Sequence, residues 1–335
     1  MRKIFWLVLI AALAFAGWFA WALLAPTEPP EKTFVMLRPG YSTRHIASEL
    51  KSAGVIRSEQ AFILWHYIHR RSLQAGEYLF EKPANAIDVQ KRLARGDVYY
   101  RTVVVPEGFT MFDIARAVEA AGLGPAEDFL KVVQSNTLVA DLDPDAPSLE
   151  GYLFPNTYKF SRMQNMEEIA AAMVNQFRQV AAQAGLISNS ISTQPDAARS
   201  LHDLVIMASI IEKETAVADE RPLVASVYYN RLAKNIALDA DPSIIYAELL
   251  AGTYTGALHH DDMRFDSPYN TYTHTELPPG PIGSPGKSAL EAAMHPAQTD
   301  YYYFVADALG HHRFARTMEE HNKNVEAYRR AVRGK

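Results

Sequence analysis

Two glutamates one residue apart, Glu212 and Glu214, close a long apolar run and are the groups in this chain best placed for acid–base chemistry. The run starts Leu201-His202-Asp203, and from Leu204 to Ile211 Ser209 is its single polar residue. A helix that is apolar all round must be buried on nearly every side. Here it delivers two carboxylates, groups that are costly to desolvate, at its end. Residues two apart on a helix point about 200° away from each other, so the two side chains leave on different faces. Glu212 continues the row of Leu204 and Ala208, and Glu214 continues the side of Met207, Ile210 and Ile211. At a helix C-terminus a carboxylate meets the negative end of the macrodipole, and partial burial pushes its pKa the same way, upward. Those are the conditions for a general acid that keeps its proton near neutral pH. The competing reading leaves both glutamates solvated at a helix end, with Lys213 as their neighbour.

Other groups could stand beside such an acid. A glycoside hydrolase needs a second carboxylate roughly 5–9.5 Å from the first. Glu212 faces away, which leaves Glu150 and Asp241 as partners. Asp241-Pro242-Ser243 also reads as a helix N-cap followed by proline at the first helical position. Thr215 follows Glu214 directly, and Asn230-Arg231 lies on a helix from Pro222 to Leu232 whose apolar face carries Val224, Val227, Tyr228 and Leu232. Residues 264–286 hold five prolines and three glycines around Tyr269-Asn270-Thr271-Tyr272. A segment this long without regular structure is usually functional. Tyrosine rings and asparagine amides suit a sugar, whose C–H faces stack and whose hydroxyl or acetamido groups hydrogen-bond; a purely structural loop is the alternative. His259-His260-Asp261-Asp262 are adjacent, so their side chains diverge, and no H-E-x-x-H spacing occurs, so no metal and no cofactor is expected. His311-His312 reads as a surface turn after a strand from Tyr301 to Val305. Serine-hydrolase elbows and nucleotide-binding glycine loops are absent.

The elements that must position these groups begin with an internal repeat. Phe34-Val35-Met36-Leu37-Arg38-Pro39-Gly40-Tyr41-Ser42 and Val103-Val104-Val105-Pro106-Glu107-Gly108-Phe109-Thr110 each lead into Ile-Ala, an apolar position, Ala-Gly and a phenylalanine. Gly40 and Gly108, Ile46 and Ile114, and Gly54 and Gly122 are each 68 residues apart. Each copy reads as strand, glycine turn, Ser or Thr N-cap, amphipathic helix and glycine C-cap. Between them come a helix near 58–69, a strand at 76–80 and a helix at 87–93. The pattern resembles LysM-type modules, which bind N-acetylglucosamine-containing glycans, and a compact spacer is the equal alternative.

Ahead of the repeat, Arg2 and Lys3 precede 22 residues, 4–25, with no strongly polar side chain. At about 1.5 Å per residue this run spans roughly 33 Å, enough for a hydrocarbon core of about 30 Å. The two cations stay cytoplasmic by the positive-inside rule, Trp18 and Trp21 fall near the far interface, and Pro26, Pro29 and Pro30 start an extended linker. A cleaved signal peptide would have a shorter core and a better small-x-small site than Ala20-Trp21-Ala22. The 335 residues, 48% hydrophobic with 17 glycines and 19 prolines, exclude a disordered or collagen-like chain. Zero cysteines exclude disulfides, thiol nucleophiles and cysteine metal sites, and a net charge of −5 gives no basic field for nucleic acid. The expected fold is α+β: an anchor at 1–25, a LysM-like α/β module at 26–98, a second partial repeat or connector at 99–145, and a larger mixed α/β catalytic domain at 146–335.

Several of these motifs together resemble the endolytic murein transglycosylase (YceG-like) family: Glu150-Gly151-Tyr152-Leu153-Phe154-Pro155-Asn156-Thr157-Tyr158, Ala208 to Thr215, Tyr269-Asn270-Thr271-Tyr272, Leu277-Pro278-Pro279-Gly280-Pro281-Ile282, Ala292-Ala293-Met294-His295-Pro296, the Tyr302 to Ala306 strand and Glu320-His321-Asn322. The resemblance covers essentially the whole chain. It implies a single-pass enzyme of the bacterial inner membrane that cuts nascent peptidoglycan strands on the periplasmic side, with Glu214 as the catalytic residue. Glu150, Glu212, Thr215, Asn230, Asp241, Tyr269, Asn270 and Tyr272 are the candidates for holding substrate. Peptidoglycan glycan strands are then the expected partner, and peptidoglycan synthases a further one. The chain departs from the family pattern at Glu276, where glycine is usual, and at the aromatic positions of Tyr228-Tyr229-Asn230-Arg231-Leu232. A muramidase-type hydrolase and a non-catalytic glycan-binding scaffold are the alternatives.

Overall fold

The structure, a computed structural model, describes residues 1–29, 31–187 and 200–333; Pro30 of the expected linker lies outside them. Among the described residues helices dominate, and the strands pair in twos. The chain divides into two compact units, residues 1–102 with 159–164, and residues 103–158 with 165–335.

The first unit opens with α1 (Arg2–Leu24), the one helix among the described residues long and apolar enough to cross a membrane. Then come β1 (Thr33–Leu37), α2 (Thr43–Ser52), α3 (Glu59–His69), β2 (Gly76–Phe80) and α4 (Ala86–Arg95). β1 and β2 are antiparallel, Thr33 opposite Phe80 and Leu37 opposite Gly76. Val35, Leu37, Ile46, Leu50, Phe62, Tyr78 and Leu93 form the core. Ser42, Ser58 and Asn85 cap the three short helices with their side chains. The stretch after α1 starts extended, as expected, and is also tied to the rest of the unit. Ala22 and Leu23 are buried in this core, Thr27 bridges to Ala84, and Arg57 donates to the carbonyls of Ala25 (3.3 Å) and Pro26 (2.7 Å). The physical reason is local: the apolar end of α1 gains more by packing on α3 and α4 than by exposure, and Arg57 takes up carbonyls that the ending helix leaves free.

β3 (Arg101–Val105) and β4 (Asn156–Phe160) form another pair, with α5 (Met111–Ala120) and α6 (Ala126–Val133) between them in the chain. The repeat is visible in local geometry. Gly40 and Gly108 hold φ of 84° and 77°, Gly54 and Gly122 both hold 71°, and Thr110 caps α5 as Ser42 caps α2. All four glycines lie in the left-handed region where a side chain would strain the backbone.

The rest of the second unit comprises α7 (Met166–Ala184), α8 (Leu201–Glu214), α9 (Arg221–Leu232), α10 (Asp241–Ala251), α11 (Lys287–Met294), β5 (Tyr303–Ala306), β6 (His312–Ala315) and α12 (Met318–Arg333). α8 starts in a capping box of Ser200 and Asp203, and its residues Val205 to Ile211 are all buried. It packs on α9, α10 and α11, as an all-round apolar helix must. The proline-rich segment 264–286 contains only a short 3-10 turn, which ends at Arg264, and is pinned by hydrogen bonds instead. Ile282 N–H donates to Ser209 Oγ (3.0 Å), Ser284 N–H to the Phe109 carbonyl (2.8 Å) and Gly286 N–H to Glu212 Oε2 (2.9 Å).

Two local expectations are corrected. Asp241 does not cap α10: it is that helix's first residue, Ala240 stands at the cap without a side-chain bond, and the carboxylate accepts from Tyr272 instead. His311 lies at the surface as expected, but His312 is partly buried rather than a surface turn residue. His312 begins β6, and both imidazoles meet Glu220, at 3.0 and 2.7 Å, which ties the β5–β6 hairpin to the start of α9.

Candidate active site

The end of α8 sends its two glutamates to different surroundings, as the helical angle requires. Glu212 turns into protein. Its Oε1 pairs with Arg221 at 2.6 Å, its Oε2 accepts the Gly286 amide, and burial, its largest influence, still raises its pKa. Glu214 turns the other way, to the wall of a cavity of about 430 Å³. Its pKa is raised to about 7, first because protein surrounds the carboxyl and then because Asp241 adds negative charge nearby; a hydrogen-bonding interaction with Tyr228 opposes this. Tyr228 is buried on α9, and its own pKa is driven well up by burial and by Glu214.

Asp241 enters the same cavity from the first turn of α10. Tyr272, from the proline-rich segment, donates its hydroxyl to Asp241 Oδ1 at 2.5 Å and also lines the cavity. Arg231 lies one helical turn beyond Tyr228. Its Nη2 pairs with Asp239 at 2.6 Å, its Nη1 donates to the Leu238 carbonyl, and its guanidinium lies over the Tyr303 ring, 5.5 Å from the ring centre. His321 and Asn322 of α12 also line it. A carboxyl group titrating near 7 beside a second carboxylate can donate a proton to a leaving oxygen and then take one back.

Of the residues singled out in the sequence, Glu214, Asp241 and Tyr272 come together in this cavity, and the others have different surroundings. Glu150 is fully enclosed; its Oε2 accepts the Met111 amide at 2.8 Å and burial raises its pKa to about 7. Thr215 is buried, and its hydroxyl accepts the Val217 amide. Asn230 donates to the carbonyls of Thr299 and Tyr301, and Asn270 to those of Met263 and Phe265, so both amides staple the backbone. Tyr269 packs against Tyr246. Glu276 lines a separate cavity of about 510 Å³ with His202 and Pro278. No cluster of three or more metal-ligating side chains occurs among the described residues.

The cavity residues not singled out as candidates are chiefly Tyr228, Arg231, Asp239, Tyr303, His321 and Asn322. Signals existed for most of them: Tyr228 and Arg231 are three apart on one helix, hence on one face, and Tyr303, His321 and Asn322 fall within motifs already singled out for the family resemblance. Asp239 carried none, since its positive φ of 53° is not written in residue type.

Residues 35–327 match the YceG-like family over most of the chain. The chain belongs to this family. A YceG-like relative in Bacillus subtilis (strain 168), named endolytic murein transglycosylase, is 35% identical over 326 residues, covering 92% of this chain and 88% of the relative. A protein of the same name in Streptococcus pneumoniae serotype 2 (strain D39 / NCTC 7466) is 30% identical and covers 95% of this chain, which spans only 63% of that longer relative. The crystal structure of a YceG-like protein from Listeria monocytogenes superposes with a TM-score of 0.58 at 33% identity, covering 88% of this chain and 99% of the other.

Proposed function

We propose that this chain is a lytic transglycosylase that cleaves peptidoglycan glycan strands, with Glu214 as its acid and base. The observation that carries the proposal is the Glu214 carboxyl at the wall of the cavity with a pKa raised to about 7, so that it is half protonated near neutrality. The bond cut is the β-1,4 link between N-acetylmuramic acid and N-acetylglucosamine. Protonated Glu214 gives its proton to the glycosidic oxygen as the bond to C1 breaks. The resulting carboxylate takes the proton from the muramyl C6 hydroxyl, whose oxygen closes on C1 as a 1,6-anhydro ring. One carboxylate serves both steps because the nucleophile belongs to the substrate, and no water is consumed. Asp241, held by Tyr272, keeps the Glu214 proton in place and supplies negative charge towards the positive charge that develops at C1.

α1 anchors the chain in the inner membrane through residues 4–25, with Arg2 and Lys3 in the cytoplasm and the remainder in the periplasm, where nascent strands and their synthases lie. The LysM-like module of residues 26–98 is the candidate for gripping the strand away from the cut.

Asp241 in the same cavity favours one second reading, a muramidase-type hydrolase with water as nucleophile. Mass spectrometry of purified glycan strands incubated with the full chain separates the two. Anhydro ends that vanish in Glu214→Gln support the transglycosylase; reducing ends support the hydrolase; equal products from both proteins would sink the assignment of Glu214. No cleavage by either would favour the non-catalytic scaffold.

A further inference from the structure

The last turns of α1 have two surroundings at once. Ala22 and Leu23 are buried in the core of the first unit, Phe19 packs against that core, and the helix touches α3 and α4. Trp21 and Leu24, interleaved with them, are 55% and 58% exposed. Arg57, the residue before the Ser58 cap of α3, lies over the Trp21 ring at 5.0 Å and donates to the carbonyls of Ala25 and Pro26. The start of α3 is therefore held directly on the end of α1, with no tether between them.

Length decides where that junction sits in a membrane. Ile4 to Trp18, the part of α1 ahead of the packed end, spans only about 22 Å, short of a hydrocarbon core of about 30 Å. Ile4 to Leu24 spans about 31 Å and fits it. The exposed Trp21 and Leu24 then lie at the outer edge of the hydrocarbon, where an amphipathic ring beside a cation is at home. The start of α3, fixed at that level, comes with them to the bilayer surface.

α3 also has an exposed row that its own core does not use. Ala61 and Phe62 face inward, whereas Leu64, Tyr67 and Ile68, spaced i, i+3 and i+4, are 39%, 65% and 61% exposed. Three large apolar side chains together on the open face of a helix mark a surface that something covers. Exposed Arg70 and Arg71 follow at the left-handed end of the helix, and neither makes an ion pair among the described residues. An apolar row with a tyrosine, ending in cations, has the composition of a segment lying in a lipid interface. Continuity with α1 fixes which surface that is.

Resting on the anchor reading above, we propose that α3 lies on the outer leaflet of the membrane that α1 crosses, with Leu64, Tyr67 and Ile68 seated at the level of the headgroups. The first unit then rests on the bilayer instead of hanging from it.

The chain contains no cysteine, so single introduced thiols report without background. Full-length Tyr67→Cys, Ile68→Cys, Leu13→Cys in the middle of α1 and Lys51→Cys on α2 are each labelled with the fluorophore NBD. They are reconstituted at low protein density into phosphatidylethanolamine–phosphatidylglycerol vesicles, in which some lipid carries bromine near the headgroups or at the chain ends. All four positions are exposed, and unchanged near-ultraviolet circular dichroism checks the fold. Labels at 67 and 68 should be blue-shifted relative to 51 and lose about half their intensity to bromine near the headgroups, as groups at interfacial depth do. The label at 13 should be quenched best by bromine at the chain ends. Labels at 67 and 68 that stay in water, while 13 is quenched, would overturn this proposal and leave the anchor standing. Blue-shifted labels at 67 and 68 that neither lipid quenches would give the row to a second copy or another protein, and overturn it too. A label at 13 that neither lipid quenches would overturn the anchor reading, and this proposal with it.

Discussion

Replacing Glu150 with glutamine should make the second unit more stable, and more so as pH rises. Glu150 is 1% exposed, and its pKa is raised from 4.5 to about 7, chiefly by burial, against the opposing Met111 amide and Tyr246 hydroxyl. The folded form therefore binds the proton more tightly than the unfolded chain. For a carboxyl shifted upward, stability is highest at low pH, where both forms are protonated, and falls as pH rises from the unfolded value towards the folded one. A carboxyl moved from 4.5 to about 7 costs on the order of 3 kcal/mol once ionised, most of it lost between about pH 5 and pH 8.5. Glutamine keeps an oxygen for the Met111 amide and carries no charge to bury, so the variant lacks this loss. Glu214 titrates over the same range in both proteins and cancels in the comparison. All four tryptophans, at positions 6, 18, 21 and 65, lie in the first unit. Unfolding of the second unit is therefore followed by tyrosine near-ultraviolet circular dichroism of the detergent-solubilised chain in urea. The variant's advantage should grow by roughly 2–3 kcal/mol from pH 5 to pH 8.5. Stabilities that run parallel across that range would refute the reasoning.

Other perturbations probe the site and its supports. The pH profile of kcat/KM should fall above about pH 7 as Glu214 loses its proton, and Asp241→Asn, which removes a charge that raises this pKa, should move that limb to lower pH. Arg221→Met should cost about 3–5 kcal/mol by leaving Glu212 buried without its counter-charge, and the loss in urea titrations should be larger at pH 8 than at pH 5. Ser209→Ala should cost about 1–3 kcal/mol, measured the same way, because the buried Ile282 N–H loses its acceptor. Gly151→Ala should cost about 2 kcal/mol or more in thermal unfolding, since φ is 83° and the new methyl would lie 2.5 Å from Pro281 Cβ and 2.9 Å from Val205 Cγ1.

Local patterns in the sequence translated well into structure, because caps and turns are decided within a few residues. Ser42, Thr110, Gly54 and Gly122 show this: each is at a helix end with the expected geometry, and the 68-residue spacing survives as matching dihedral angles. The opposite directions of Glu212 and Glu214 were likewise legible, since a helical angle needs no tertiary information. Partners far apart in the chain were not. Asp241 has the residue type and neighbour of an N-cap, yet its carboxylate goes to Tyr272, thirty-one positions away. Asn230 and Asn270 have the right chemistry for sugar but are taken by backbone carbonyls that only the folded loops bring near. His321 and Asn322 stood out as a motif, but that they line the cavity of Glu214, more than a hundred residues upstream, follows only from the packing of α12.

The divided end of α8 has a consequence for how damage to this protein would show itself. One glutamate is a rivet, joining helix, Arg221 and the Gly286 loop, while the other, two residues on, faces the cavity. On the proposed reading, loss of either would remove the activity, so a screen for activity alone would score the two positions alike. Counting folded molecules separates them: a population changed at position 212 shrinks, whereas one changed at position 214 stays at full strength and idle.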